Sequence, residues 1–239
     1  MVNMMNLLKR FTVFFLLLLF MMNMSCTSKE KPKFYSQFGQ DKYLYKKVFK
    51  NKKDGVFVDI GAHDGVSFSN TFFFENLGWK GICIEPIPEV FERLQKARKA
   101  TCIKGCISDK YDTASFLCIK GYAEMLSGIL ENYEPGHVER IRKEILEKGC
   151  TSEVIPVKCY NINRLFLDQG IQHVDYLSID TEGGELDILK SIDFDQFDID
   201  VIDVENNYGT AFQNLLEPKG YKLIAKRGPD EIYKKSRPK

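Results

Sequence analysis

Zinc-binding spacings and histidine are both scarce. Three histidines occur in 239 residues, and none of the seven cysteines forms a C-x-x-C pair. Cys102 and Cys106 lie four apart, without a second pair or a histidine to complete a tetrahedral set, so a structural zinc module is excluded. A chain of this size builds a core without a disulfide framework, and the cysteines read as small core residues of a reducing compartment. Charge imbalance is missing too. The formal net charge is +1, which gives no field to attract nucleic acid, and no nucleic-acid partner is expected. The basic end "KKSRPK" reads as a solvated tail. Neither G-x-G-x-x-G nor G-x-x-x-x-G-K-[ST] is present, so the usual cradles for a dinucleotide or for ATP phosphates are absent. No internal repeat or low-complexity tract interrupts the chain after its N-terminus.

A long membrane span is also lacking. Phe11 to Met22 is a run of twelve residues, apolar except for Thr12. As a helix it covers about 18 Å, against roughly 30 Å of hydrocarbon. Lys9 and Arg10 precede it, the pattern of a signal peptide. Ser25–Cys26 resembles a lipoprotein cleavage site, although Asn23 stands where an aliphatic residue is usual. A start at Met21, Met22 or Met24 would leave no leader and a cytoplasmic protein. The expected organisation is a hydrophobic signal or anchor over residues 1–26, giving membrane association, a polar linker over 27–33, and one folded domain over 34–239.

What is present from Phe34 onward is alternation. "GVFVDIGA", "GICIEP", "ATCIKGCIS", "VDYLSID" and "IDVIDVE" read as strands. Between them, "SNTFFFENLG", "PEVFERLQKARK", "NINRLFLDQG" and "ELDILKSI" read as helices. Residues 111–150 read as a less regular insertion with a helix near "GHVERIRKEILEKG". "YKLIAKR" and "DEIYKK" read as a closing hairpin. The pattern predicts an α/β fold with a mostly parallel sheet, helices on both faces and a mixed edge. Ligands of such sheets bind beyond the carboxyl ends of the strands.

The motifs fall at those ends. The first strand leaves as D-x-G-x-x-x-G, Asp59, Gly61 and Gly65, a turn that lets a ligand approach the backbone. Glu85 ends the second strand, placed to accept both hydroxyl hydrogens of a ribose. Asp109 follows the third and could accept from an exocyclic amine, or simply cap a turn. Asp59 would repel a pyrophosphate and suit a cationic tail or a sulfonium. Together these features point to S-adenosylmethionine rather than NAD or ATP. "LSIDTEGGELDIL" then sets Asp180 and Glu182 at the end of the fourth strand. Glu185 and Asp187 fall in the first turn of the next helix, where a negative charge is favoured.

From about Phe34 to Lys234 the chain resembles the FkbM family of S-adenosylmethionine-dependent methyltransferases. "SQFGQDKYL", "VFVDIGAHDGVSFSNT", "LGWKGICIEPIP", "KGCISD", "LSGI" and "LSIDTEGGELDIL" carry the resemblance. The segment from Asp180 to Leu189 is its most specific part. The resemblance implies a class I, Rossmann-like methyltransferase fold with a seven-stranded, mostly parallel sheet. It implies methyl transfer to a hydroxyl oxygen of a sugar, glycolipid or small molecule. It places Asp59, Gly61, Ala62, His63 and Gly65 along the amino-acid end of the cofactor, with Asn70 orienting the turn. It places Glu85 at the ribose, Ser108 and Asp109 beside adenine, and Asp180 at the methyl group. The acceptor is expected to be a small-molecule or glycan hydroxyl, recognised by the insertion.

An alcohol must lose its proton on methylation, so a general base is expected. Asp180, Glu182 and His63 are the catalytic candidates, and His137 could enter from the acceptor side. Asp180, Glu182 and Glu205 could hold a divalent cation, but no metal is assigned. The competing expectation is a protein that keeps the fold without catalysis and serves as a membrane-associated binding or trafficking module.

Overall fold

The computed structural model describes residues 32–50, 52–133, 135–207 and 209–237. The leader, Cys26 and most of the linker lie outside the described residues, as does the side chain of His137. Among the described residues no helix is long and apolar enough to cross a membrane. Phe34–Lys239 forms one compact unit.

Its frame is the run of β-branched and aromatic residues seen in the sequence. Strands β1 (Val56–Ile60), β2 (Lys80–Glu85), β3 (Thr101–Lys104), β8 (His173–Ile179), β9 (Asp198–Glu205), β10 (Tyr221–Arg227) and β11 (Asp230–Lys235) form a seven-stranded sheet in the order β10-β11-β9-β8-β1-β2-β3. β11 runs antiparallel to both its neighbours, and the other pairings are parallel. This is the mixed, mostly parallel seven-stranded sheet expected from the sequence. Both faces are covered, which is why the strands read as nearly continuous apolar runs. Val58, Ile60, Leu177, Ile179, Ile202 and Val204 point to one core. Phe57, Tyr176, Val201 and Ile232 point to the other, among Phe73, Phe74 and Trp79. Each fully buried side chain of this kind contributes about 1.5–3 kcal/mol by leaving water.

The chain winds outward in opposite directions from β1 and β8, so the topological switch lies between them. A crevice opens there at the carboxyl ends. Ile60, Asp180 and two glycine turns meet at this point.

Two expectations are corrected. The predicted third strand is broken at Gly105, which adopts φ 146°. Thr101–Lys104 stays in the large sheet, while β4 (Cys106–Ile107) joins a second one. The insertion over 111–150 is more regular than expected, since it supplies two strands of that second sheet, of order β4-β7-β5-β6. In it β5 (Thr113–Lys120) pairs antiparallel with β7 (Thr151–Tyr160) over eight residue pairs, and β6 (Gly128–Ile129) adds a short edge. Ala114, Phe116 and Cys118 of β5 face Cys106, Val157 and Cys159 in a core of their own. The helix over 135–148 is present and packs Ile141 onto Ile119, Ala123 and Leu126. All six described cysteines are free and five of them are buried.

Candidate active site

The crevice holds a cavity of about 490 Å³, within the usual size of small-molecule sites. Its walls come from the carboxyl ends of the central strands and from the segment 124–132 that leaves the second sheet.

The first wall is the turn after β1. Gly61 adopts φ 86°, and an added Cβ would lie 1.7 Å from the carbonyl oxygen of Asp180. Glycine is required here because β1 and β8 end in backbone contact. Gly61 and Ala62 both donate to the carbonyl of Ile84 at 3.0 Å, which ties the turn to β2. Gly65 does not line the cavity. It adopts φ 81° and lets Leu94 and Arg98 pack against the turn from behind.

Asp59 reaches the cavity wall but is only 5% exposed. Its Oδ2 accepts from Thr71 Oγ1 at 2.5 Å and lies 3.7 Å from Arg98. Burial raises its proton affinity, while Arg98 and the Thr71 hydroxyl pull it back. It is therefore not the unengaged anion that the sequence suggested.

The second wall centres on Glu85, which is 4% exposed. Its Oε2 accepts from the His63 amide at 3.0 Å and its Oε1 from the Ile87 amide at 2.9 Å. Burial pushes its pKa up to about 7 despite these bonds. Both oxygens keep a further lone pair, the requirement for receiving a vicinal diol. Ile87, Ile107 and Phe116 add an apolar stretch of lining beside it.

Ser108 and Asp109 are not part of this wall. Ser108 donates its amide to the Tyr160 carbonyl and accepts from Lys110. Asp109 faces solvent. The break at Gly105 is the physical reason, because it turns the chain into the second sheet three residues before Ser108. Gly105, Cys106 and Ile107 line the cavity instead.

His63 occupies a left-handed conformation, φ 48°. Its Nε2 lies 2.9 Å from Glu124 Oε1, and Glu124 also pairs with Arg93. It stands with Glu85, whereas Asp180 stands with Glu182 and Glu205. The structure thus separates two candidate bases that the sequence grouped together. Glu124 was not legible as a site residue, since nothing near it in the chain marks it.

The third wall is the turn after β8. Glu185 is fully buried at the start of the helix Glu185–Ser191. Its carboxylate accepts from Thr181 N and Thr181 Oγ1 at 2.8 Å and from Gly183 N at 3.1 Å. It holds the turn, as expected of a helix-start acid. Asp187 pairs with Lys110 at 2.6 Å on the surface. Glu182 is thereby held in a left-handed conformation, φ 56°, and lines the cavity with Asp180 and Glu205.

One carboxylate oxygen of each of Asp180, Glu182 and Glu205 can lie within 4.8 Å of the others. Asp180 is open to the cavity but enclosed on its other sides. Burial and the neighbouring Glu205 and Glu182 raise its proton affinity well above the usual carboxylate range. Burial and Glu205 push Glu182 up to about 8, with Arg140 opposing. Burial and Glu185 push Glu205 up to about 7. Such a cluster can receive a proton near neutral pH, and its oxygens also suit a hard cation. A second acid group, His173, Asp175 and Asp200, sits in strands β8 and β9 and is paired with Lys52 and Arg237.

Asn70 also lines the cavity. Its Nδ2 donates to Ser178 Oγ at 3.2 Å, and its Oδ1 is buried with no partner among the described residues. At the mouth stand Phe38, 43% exposed, and Phe68, 53% exposed, from opposite sides of the bridge Ser36–Phe68. The sequence reading did not single out either ring, and exposed aromatics leave no periodic signal.

Comparison with known proteins shows the family. No curated protein matches the chain. The solved structures that resemble it include the following two. Precorrin-6y C5,15-methyltransferase from Geobacter metallireducens is 14% identical, with a TM-score of 0.44 over 82% of this chain and 87% of that one. The Methanococcus jannaschii fibrillarin pre-rRNA processing protein is 11% identical, with a TM-score of 0.38 over 76% of this chain and 66% of that one. The family model for the methyltransferase FkbM domain matches residues 59–228, more than half of the chain. The chain belongs to the FkbM methyltransferase family.

Proposed function

We propose that this protein binds S-adenosylmethionine and transfers its methyl group to a hydroxyl oxygen of a sugar, glycolipid or small-molecule acceptor. One observation carries the reading. A single cavity joins a buried ribose-type carboxylate, Glu85, to a carboxylate cluster at Asp180, across a turn that only glycine can make. The residues present fit the cofactor. Glu85 offers two fixed acceptors for a diol, the lining beside it offers apolar contact for a base, and Asn70 Oδ1 offers an unused acceptor for an ammonium.

The cofactor, when bound, supplies a methyl group activated on a sulfonium. The chain's part is to position and to move a proton. Alignment of the reacting atoms is worth roughly 7–11 kcal/mol in the best intramolecular cases. Asp180 and Glu182 face the acceptor and take its hydroxyl proton. Glu185 holds the turn that aims them. Phe38 and Phe68 offer apolar faces at the mouth, which suits a hydroxyl carried on a ring or beside an alkyl group.

Calorimetric titration with S-adenosylhomocysteine tests the cofactor part. Binding is expected, and its absence at millimolar ligand would overturn the reading. Glu85→Ala should weaken binding at least tenfold, since a charge-assisted hydrogen bond is worth about 1.5–3 kcal/mol. The Glu85 carboxylate, not the carboxylic acid, accepts both hydroxyls. With its pKa near 7, wild-type affinity should fall as pH drops from 8 to 6. Glu85→Gln should bind weakly and without that dependence.

A further inference from the structure

The turn between β1 and the helix Phe72–Asn76 is held from behind by one buried cation. Arg98 follows the helix Pro88–Ala97 and is 6% exposed, with its side chain fully covered. Its Nε donates to Glu75 Oε2 at 2.7 Å. Its NH1 donates to the carbonyl of Gly65 at 3.1 Å and to Ser69 Oγ at 3.3 Å. Its NH2 donates to Thr71 Oγ1 at 2.9 Å, and the Thr71 hydroxyl in turn donates a hydrogen bond to Asp59 Oδ2. Arg98 thus grips the residues on both sides of Asn70.

Asn70 cannot rotate freely between those two grips. Its Nδ2 is committed to Ser178 on β8, which leaves Oδ1 facing the cavity wall without a partner among the described residues. A buried acceptor left unpaired costs about 1–3 kcal/mol, and such groups in native structures call for a donor. With the ribose at the end of β2, the remainder of an S-adenosyl ligand extends toward β1 and β8, where Asn70 lies. The donor available there is the α-ammonium of the amino-acid tail. Asp59 contributes differently from the sequence expectation. Its carboxylate is engaged by Thr71 and Arg98 behind Asn70 rather than committed to the ligand.

We infer that Arg98 is a positioning residue which presents Asn70 Oδ1 to the amino-acid end of the cofactor. The inference rests on the cofactor reading above and deepens it. A planar fork with five donors is needed, because one cation serves four acceptors on three chain segments. Lysine can neutralise Asp59 and Glu75 but cannot satisfy Gly65, Ser69 and Thr71 together.

The test uses two ligands, S-adenosylhomocysteine, which carries the amino-acid tail, and 5′-methylthioadenosine, which lacks it. Wild-type, Arg98→Lys, Asn70→Ala and the double variant are titrated with each, and their melting temperatures are recorded. Arg98→Lys and Asn70→Ala should each weaken S-adenosylhomocysteine binding at least tenfold. The double variant should be no more than about threefold weaker than the worse single one. Affinity for 5′-methylthioadenosine should stay within threefold of wild-type in all of them. A general loss of packing would weaken both ligands together, and that result would overturn the inference, as would wild-type affinity in Arg98→Lys. A variant too unstable to titrate also counts against it, since that would make Arg98 a packing residue. If wild-type binds neither ligand, the cofactor reading itself fails. Binding of both by wild-type with tail-independent losses sinks the Arg98 inference alone.

Discussion

Gly61→Ala should abolish S-adenosylhomocysteine binding and lower the melting temperature by about 10 °C or more. The added methyl would need the space of the Asp180 carbonyl, 1.7 Å away, and no side-chain rotamer can relieve a clash between Cβ and backbone. The conformation adds to it, because φ 86° is poorly tolerated by any residue with a Cβ. β1 and β8 must therefore part where Asp180 N donates to Ile60 O at 3.0 Å. Several kcal/mol of strain corresponds to about 2–4 °C per kcal/mol in a chain of this size. Thermal denaturation checks the first effect and calorimetry the second. A variant melting within 2 °C of wild-type would show that the two strand ends are not in contact as described. Gly65→Ala makes a useful contrast. Its new methyl meets the side chains of Leu94 and Arg98 rather than backbone, so a smaller loss is expected.

The same pair of residues shows how much of the site the sequence carried. Gly61 and Asp180 are 119 positions apart, yet both stand at the carboxyl ends of strands that read as strands. The rule that ligands bind at those ends brings them together without any structure. Glu85 was legible for the same reason, and so was the role of Glu185 at a helix start. The second sheet was not legible. In β5 the inward residues are Ala114, Phe116 and Cys118, two of them small, so the alternation with Thr113, Ser115 and Leu117 is faint. In β7, Pro156 interrupts a run whose first four residues are exposed. The turn at Gly105 looks like any glycine in a strand, and missing it carried Ser108 and Asp109 into a wall they do not form. Glu124 and Arg98 lie outside the motifs read from the sequence. Their roles depend on partners 61 residues away for Glu124 and 23 to 33 residues away for Arg98, and such pairings are written only in three dimensions.

Replacing Asp180 by asparagine should lower methyl transfer at least a hundredfold while leaving S-adenosylhomocysteine affinity within about threefold. Asparagine keeps the shape and the backbone contact with Gly61 but cannot take a proton, and general-base assistance contributes typically 10²–10⁴-fold. The pH profile separates this role from simple positioning. A base works only when deprotonated. Burial and mutual repulsion hold Asp180 above the usual carboxylate range and Glu182 at about 8. The wild-type rate should therefore rise with pH from 6 upward and still be rising at about 8, where Glu182 loses its proton. Glu205 and Glu182 raise the proton affinity of Asp180, so Asp180→Asn removes the group that holds its proton to the highest pH. Its residual activity should reach its plateau at a lower pH than wild-type. The measurement is transfer of a radiolabelled methyl group into an extract of the host, followed against pH for both proteins. An unchanged rate in Asp180→Asn would remove Asp180 from the chemistry. An unchanged midpoint at reduced rate would mean that Asp180 positions the acceptor without sharing its proton with the cluster.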